Sequence, residues 1–102
     1  GEDGDFARKV AVIEDVDRHL PRLTALKPDV LIITGDHSTP SLLSSHSWHP
    51  VPCLLSAANC RHDNINKFGE SSCRHGSLGQ IHAASLMWLA MAHGLKLAKY
   101  GA

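Results

Sequence analysis

Apolar positions along the chain fall into three patterns, and each predicts an element. Phe6, Val10, Ile13 and Leu20 recur at helical spacing with Val16 beside the same stripe, and Asp5 stands where a helix N-cap belongs. The charged residues Arg8, Lys9, Glu14, Asp15 and Arg18 read as the solvated face of this helix. Pro21 has no N–H to donate to the carbonyl four residues back, so the helix is expected to kink or restart there before ending near Lys27-Pro28. Two unbroken apolar runs follow, Val30 to Thr34 and Val51 to Leu55. Runs of this kind read as strands buried on both faces, as in parallel α/β sheets. The third pattern, Ile81 through Leu97, predicts a helix whose middle, Leu86 to Ala92, is apolar almost all round and so buried on several sides. Lys96 and Lys99 suit its negative C-terminal end, and Gly101 suits a left-handed cap.

The stretches between these elements are polar. Pro40 suits the first position of a short helix reaching Leu43. Residues 56–80 are rich in Asn, Ser, Gly and charge, with Ile65 and Phe68 as apolar anchors, and read as a loop with one short helix near Phe68 to Cys73. The order is helix, strand, loop, strand, loop, helix. That is part of an α/β layer and not a closed fold, because two strands buried on both faces need further strands beside them. A single α/β unit spanning residues 1–102, incomplete as a 102-residue chain, is the expectation.

Composition narrows the partners. With 43% hydrophobic and 20% charged residues, the chain is an ordinary globular one. Ten basic residues balance ten acidic ones, so no global field draws in nucleic acid or an anionic membrane. The nearly apolar stretch from Ala83 to Leu95 is short of the roughly 20 residues a bilayer span needs. Three cysteines, Cys53, Cys60 and Cys73, cannot all pair within one chain, and reduced thiols in a cytoplasmic protein are expected. Cys53, inside an apolar run, reads as a small buried residue. The repeated triplets Cys60-Arg61-His62 and Cys73-Arg74-His75 offer two thiols and two imidazoles. Their one-residue gaps are tighter than the spacing of about two to four usual in zinc fingers, so the repeat reads as coincidence.

The candidate chemistry lies just past the first apolar run. Open α/β sheets place their sites beyond the carboxyl ends of strands, and there the chain reads Gly35-Asp36-His37-Ser38-Thr39-Pro40. His46 follows nine residues after His37, in the turn that feeds the second run. If the two runs are neighbouring strands, Asp36, His37 and His46 gather at one rim as an Asp/His cluster suited to a divalent metal. His49 reads as a loop residue, and His19, His62, His75, His82 and His93 as surface or hydrogen-bonded histidines. His75 stands beside the Gly76-Ser77-Leu78-Gly79 turn, which reads as a simple turn in preference to a phosphate cradle.

Gly35-Asp36-His37-Ser38-Thr39-Pro40, Ser45-His46-Ser47 leading to Pro50-Val51-Pro52, Phe68-Gly69-Glu70 with Cys73, Gly76 to Gly79, and the ending Lys99-Tyr100-Gly101-Ala102 carry a resemblance. In this order they resemble the C-terminal quarter of the archaeal-type cofactor-independent phosphoglycerate mutases, of the alkaline phosphatase superfamily. The resemblance implies part of an alkaline-phosphatase-like sheet with flanking helices. It implies an isomerase of glycolysis and gluconeogenesis that moves a phosphoryl group between the 3- and 2-positions of phosphoglycerate through a phosphoserine, without 2,3-bisphosphoglycerate. Two divalent ions are implied, manganese first, with zinc, cobalt or magnesium as alternatives. Asp36 and His37 match ligands of the metal nearest the nucleophile, and His46 matches a ligand of the other.

The N-terminal turn departs from the family. Members carry Asp-x-x-x-His before the first helix, and here Glu2 stands at the histidine position, while the matching Asp would precede residue 1. Glu2 is thus a further ligand candidate, acceptable to manganese through oxygen. Ser38, Ser41, Ser44, Ser45 and Ser47 match no nucleophile position, so the serine is expected outside this chain, in an N-terminal remainder that would complete the site. The fragment alone is expected to be inactive, and a homo-oligomer is left open. A metal-dependent phosphatase or phosphodiesterase of the same superfamily, or a non-enzymatic metal-binding module, are the competing readings.

Overall fold

The computed structural model describes residues 1–98. They form α1 (Phe6–Thr24), β1 (Val30–Thr34), β2 (Cys53–Ala57), α2 (Glu70–Cys73), a 3-10 turn (Ala83–Ser85) and α3 (Leu86–His93). The chain divides into two compact units, one made of Gly1–Pro28 with Gly35–Val51, the other of Asp29–Thr34 with Pro52–Ala102.

In the first unit, Asp5 caps α1 as its position suggests: its carboxylate accepts from the Arg8 N–H at 2.9 Å. α1 does not restart at Pro21 but runs on to Thr24, and the chain then turns through Lys27, whose φ of 51° takes it out of helical geometry just before Pro28. The segment after Pro40 closes only as turns, with Leu43 and Ser44 N–H groups both donating to the Pro40 carbonyl. A short helix is not formed there; Ser44, at φ 47°, ends the turn. Ser38 and Ser47 pair as an isolated antiparallel bridge, the Ser47 N–H donating to the Ser38 carbonyl at 2.9 Å. Ser38 is the buried residue of this loop, at 9% exposure.

In the second unit, β1 and β2 do pair, but antiparallel, with Val30 opposite Ala57 and Thr34 opposite Cys53. The parallel arrangement suggested by the apolar runs is therefore corrected. So is the expected burial: Val30 to Ile33 are half-buried, because each strand has one ladder partner among the described residues and, of the helices described, α3 packs against β1. The predicted C-terminal helix is shorter than its apolar pattern. α3 stops at His93, where Gly94 donates to the Ala90 carbonyl at 2.8 Å, Leu95 adopts φ 56°, and the Lys96 N–H closes back on Met91 at 2.8 Å. This is a left-handed helix stop built on Leu95. Lys99 and Gly101, assigned cap roles from the sequence, lie outside the described residues. Met87 and Trp88 of α3 are 68% and 64% exposed, so the helix expected to be buried on several sides is not.

Among the described residues no apolar side chain is fully buried, and α1 exposes Phe6, Ile13 and Val16 along its stripe. A domain of ordinary stability hides such residues. No helix among the described residues is long and apolar enough to cross a membrane.

Candidate metal centre

The site belongs to the first unit and is organised by the Ser38–Ser47 bridge. In an antiparallel bridge, the residues flanking one partner face those flanking the other. Here that brings His37 and Thr39 on one side against His46 on the other. The two imidazole rings stand 3.9 Å apart between centroids, tilted by 59°. The Thr39 carbonyl accepts from the Lys9 ammonium of α1 at 2.7 Å, which ties the loop to the helix. Gly1 lies against the same residue, and a side chain at position 1 would collide with the Thr39 carbonyl oxygen. Gly1, Glu2, Asp3, His37, Thr39 and His46 together line an open depression.

Two carboxylate–imidazole pairs stand at this site, Asp36 lying outside the residues that line the depression. Asp36 Oδ2 is 3.3 Å from His37 Nε2, and Glu2 Oε1 is 3.1 Å from His46 Nε2. The Thr39 hydroxyl lies between the two rings, 3.1 Å from His37 Nδ1 and 3.0 Å from His46 Nδ1. Asp36 also accepts from the His37 backbone N–H at 2.9 Å, and this bond, aided by the imidazoles, holds its carboxyl below the ordinary value of 3.8. Asp3 is likewise held low, first by the backbone N–H of Asp5.

The donor set fits divalent ions pairwise. Two donors bonded to one ion at about 2.1 Å stand about 3.0 Å apart when cis on an octahedron and about 3.4 Å apart on a tetrahedron. Both pairs fall in that interval. Among the described residues, however, no three His, Cys, Asp or Glu side chains converge as a metal-holding group. Each pair supplies two donors, fewer than the three protein ligands of an ordinary catalytic site. The sequence thus singles out Asp36, His37, His46 and Glu2, and the structure brings all four together, as two pairs side by side.

Other candidates resolve differently. The Gly76 to Gly79 turn does not present its amide to solvent: the Asp63 carboxylate accepts from the Ser77 N–H at 3.0 Å and from its hydroxyl at 3.3 Å. Cys53, Cys60 and Cys73 are free thiols, and burial pushes the Cys53 thiol above its usual range. His49 accepts or donates at Ser47 Oγ, 2.8 Å away, under the stacked ring of Trp48. His82 precedes the 3-10 turn and is not on α3. Sequence reasoning missed Thr39. Its signal was a hydroxyl two residues past His37, inside the one motif that also carries the ligand candidates.

The profile of the Metalloenzyme superfamily matches residues 1–93, and the chain belongs to that family of metal-dependent enzymes. It is 55% identical over its 102 residues to a Thermotoga neapolitana protein named "Probable 2,3-bisphosphoglycerate-independent phosphoglycerate mutase". Proteins of the same name from Thermus thermophilus and Aquifex aeolicus are 55% and 53% identical over the same span. The chain covers 25% of the length of each of these relatives. Among solved structures it is similar to that of the PH0037 protein from Pyrococcus horikoshii, with a TM-score of 0.91 and 33% identity over 99% of this chain and 27% of that one.

Proposed function

We propose that this chain is the C-terminal, metal-binding quarter of a cofactor-independent phosphoglycerate mutase, which interconverts 3- and 2-phosphoglycerate in glycolysis and gluconeogenesis. The observation that carries this reading is the pair of carboxylate–imidazole couples, Asp36–His37 and Glu2–His46, held side by side by one backbone bridge. Relatives at 53–55% identity bearing the mutase name support it.

In this reading Asp36 and His37 hold one divalent ion, and His46, with Glu2, the other. The nucleophilic serine and the missing ligands come from the N-terminal remainder of the same enzyme. Bound in pairs, such ions lower the pKa of a coordinated hydroxyl and neutralise phosphoryl charge. Manganese fits best, since oxygen and imidazole donors without thiolate are the set it accepts. Asp36, with its depressed pKa, presents an ionised oxygen over the working pH range. His37 and His46 present Nε2, and the Ser38–Ser47 bridge keeps the two couples at fixed separation. The free thiols support a reducing, cytoplasmic location.

The test uses the full-length enzyme with manganese and 3-phosphoglycerate, following both 2-phosphoglycerate and inorganic phosphate. Phosphoryl migration without phosphate release is expected, and release without migration would make the protein a phosphatase of the same superfamily. Asp36→Ala, His37→Ala and His46→Ala should each lower kcat/KM by about 100-fold or more while leaving the protein folded. His82→Ala, in the other unit, should be near neutral.

A further inference from the structure

We infer that Thr39 is a positioning residue whose hydroxyl oxygen accepts from Nδ1–H of both His37 and His46 in the metal-ligating state, orienting the two Nε2 lone pairs toward the metals at once. The inference rests on the ligand assignment above. Hydrogen-bond arithmetic carries it. A threonine hydroxyl has one hydrogen to donate and two lone pairs to accept with, and here it faces two ring nitrogens, His37 Nδ1 and His46 Nδ1, at 3.1 and 3.0 Å. If both imidazoles were neutral with hydrogen on Nε2, both Nδ1 atoms would be acceptors, and one hydroxyl hydrogen cannot serve two of them. The hydroxyl can serve both rings in two ways: it donates to one Nδ1 and accepts from the other, or each ring carries hydrogen on Nδ1 and donates to one lone pair of Oγ1. Only the last of these leaves Nε2 unprotonated on both rings, as ligation through both requires, and it sets the two lone pairs against the Asp36 and Glu2 carboxylates at 3.3 and 3.1 Å, an arrangement that a cation between each pair would relieve.

The geometry around Thr39 is built for this task. The residue is half-buried, its carbonyl is held by Lys9 at 2.7 Å, and its neighbour Ser38 is the buried partner of the bridge that fixes residue 46 opposite. One oxygen thereby aligns a ligand of each metal, so the two half-sites are coupled through a side chain that touches neither ion.

The experiment compares wild type, Thr39→Val and Thr39→Ser in the full-length enzyme stripped of metal. Manganese binding is followed by calorimetry, and the imidazole nitrogens by 15N NMR in the zinc-loaded, diamagnetic form. Valine keeps the branched shape and removes the hydroxyl. It should weaken both manganese sites by about 10- to 100-fold and speed solvent exchange of the Nδ1–H of both rings, while serine restores wild-type affinity and the slow exchange. A Thr39→Val enzyme that binds both ions as wild type, with Nδ1–H exchange unchanged on both rings, overturns the inference. Loss of affinity at one site alone overturns the coupling of the two. If Asp36→Ala and His37→Ala also leave manganese binding intact, the ligand assignment itself has failed, which is a different result from failure at Thr39 with those variants metal-free.

Discussion

Asp63 and Asp36 show how single carboxylates shape the loops of this chain. Asp63 accepts from the Ser77 N–H and hydroxyl with one oxygen and from the Ile65 N–H with the other. The Ser77 N–H first, then that of Ile65, hold its pKa below 3.8. The sign follows from linkage. A carboxyl whose folded-state pKa is depressed stabilises the fold fully above its unfolded value and loses that contribution as pH falls through the folded one. The 63–77 closure should therefore persist down to pH 3.8 and open only below it, and a carbon-detected titration of the Asp63 carboxyl checks this. A midpoint above 3.8 would contradict it. Asp36 was legible in the sequence as a ligand candidate because a carboxylate beside an imidazole at a strand end is a chemical pattern. Asp63 was not, because its partner lies fourteen residues away and only the folded turn brings Ser77 to it.

At the scale of elements, local signals were read well where the cause is local. Asp5 capping α1 and the β1 run both follow from neighbouring residues. Where the cause is tertiary, the reading failed. The strands pair antiparallel and lie half-buried, which an unbroken apolar run does not encode, and α3 ends at Gly94 because Leu95 turns left-handed, an event its apolar pattern hides. α1 offers two measurable consequences. Asp5→Ala removes the acceptor for the Arg8 N–H and should lower unfolding free energy by about 1 kcal/mol. Pro21 sits inside the helix without an N–H for the Asp17 carbonyl, so Pro21→Ala should raise helix stability, by up to about 3 kcal/mol. Thermal melts of the two variants should move in opposite directions, and a fall for Pro21→Ala would show that the ring packs against something more valuable than the missing bond.

For the molecule as a whole, the exposed apolar faces set the expectation. Phe6 at 69% exposure on α1, and Met87 and Trp88 on α3, are surfaces that folded proteins cover. The chain spans about a quarter of the relatives it matches, and we propose that the remainder of the enzyme covers these faces. Expressed alone, the 102-residue chain should self-associate or precipitate; sedimentation showing a monomer with a single cooperative melt would count against this. The partial character of the fold was legible in the sequence, because two apolar runs and two apolar helices do not make a closed set of layers.

The central claim is that the Asp36–His37 and Glu2–His46 couples each contribute to a separate metal site. Anomalous diffraction from crystals of the full-length enzyme grown with manganese tests it most directly. Two peaks are predicted, one about 2.1 Å from Asp36 and His37 Nε2, the other about 2.1 Å from His46 Nε2. Peaks that lie elsewhere, with Asp36 and His37 still hydrogen-bonded to each other, would contradict it.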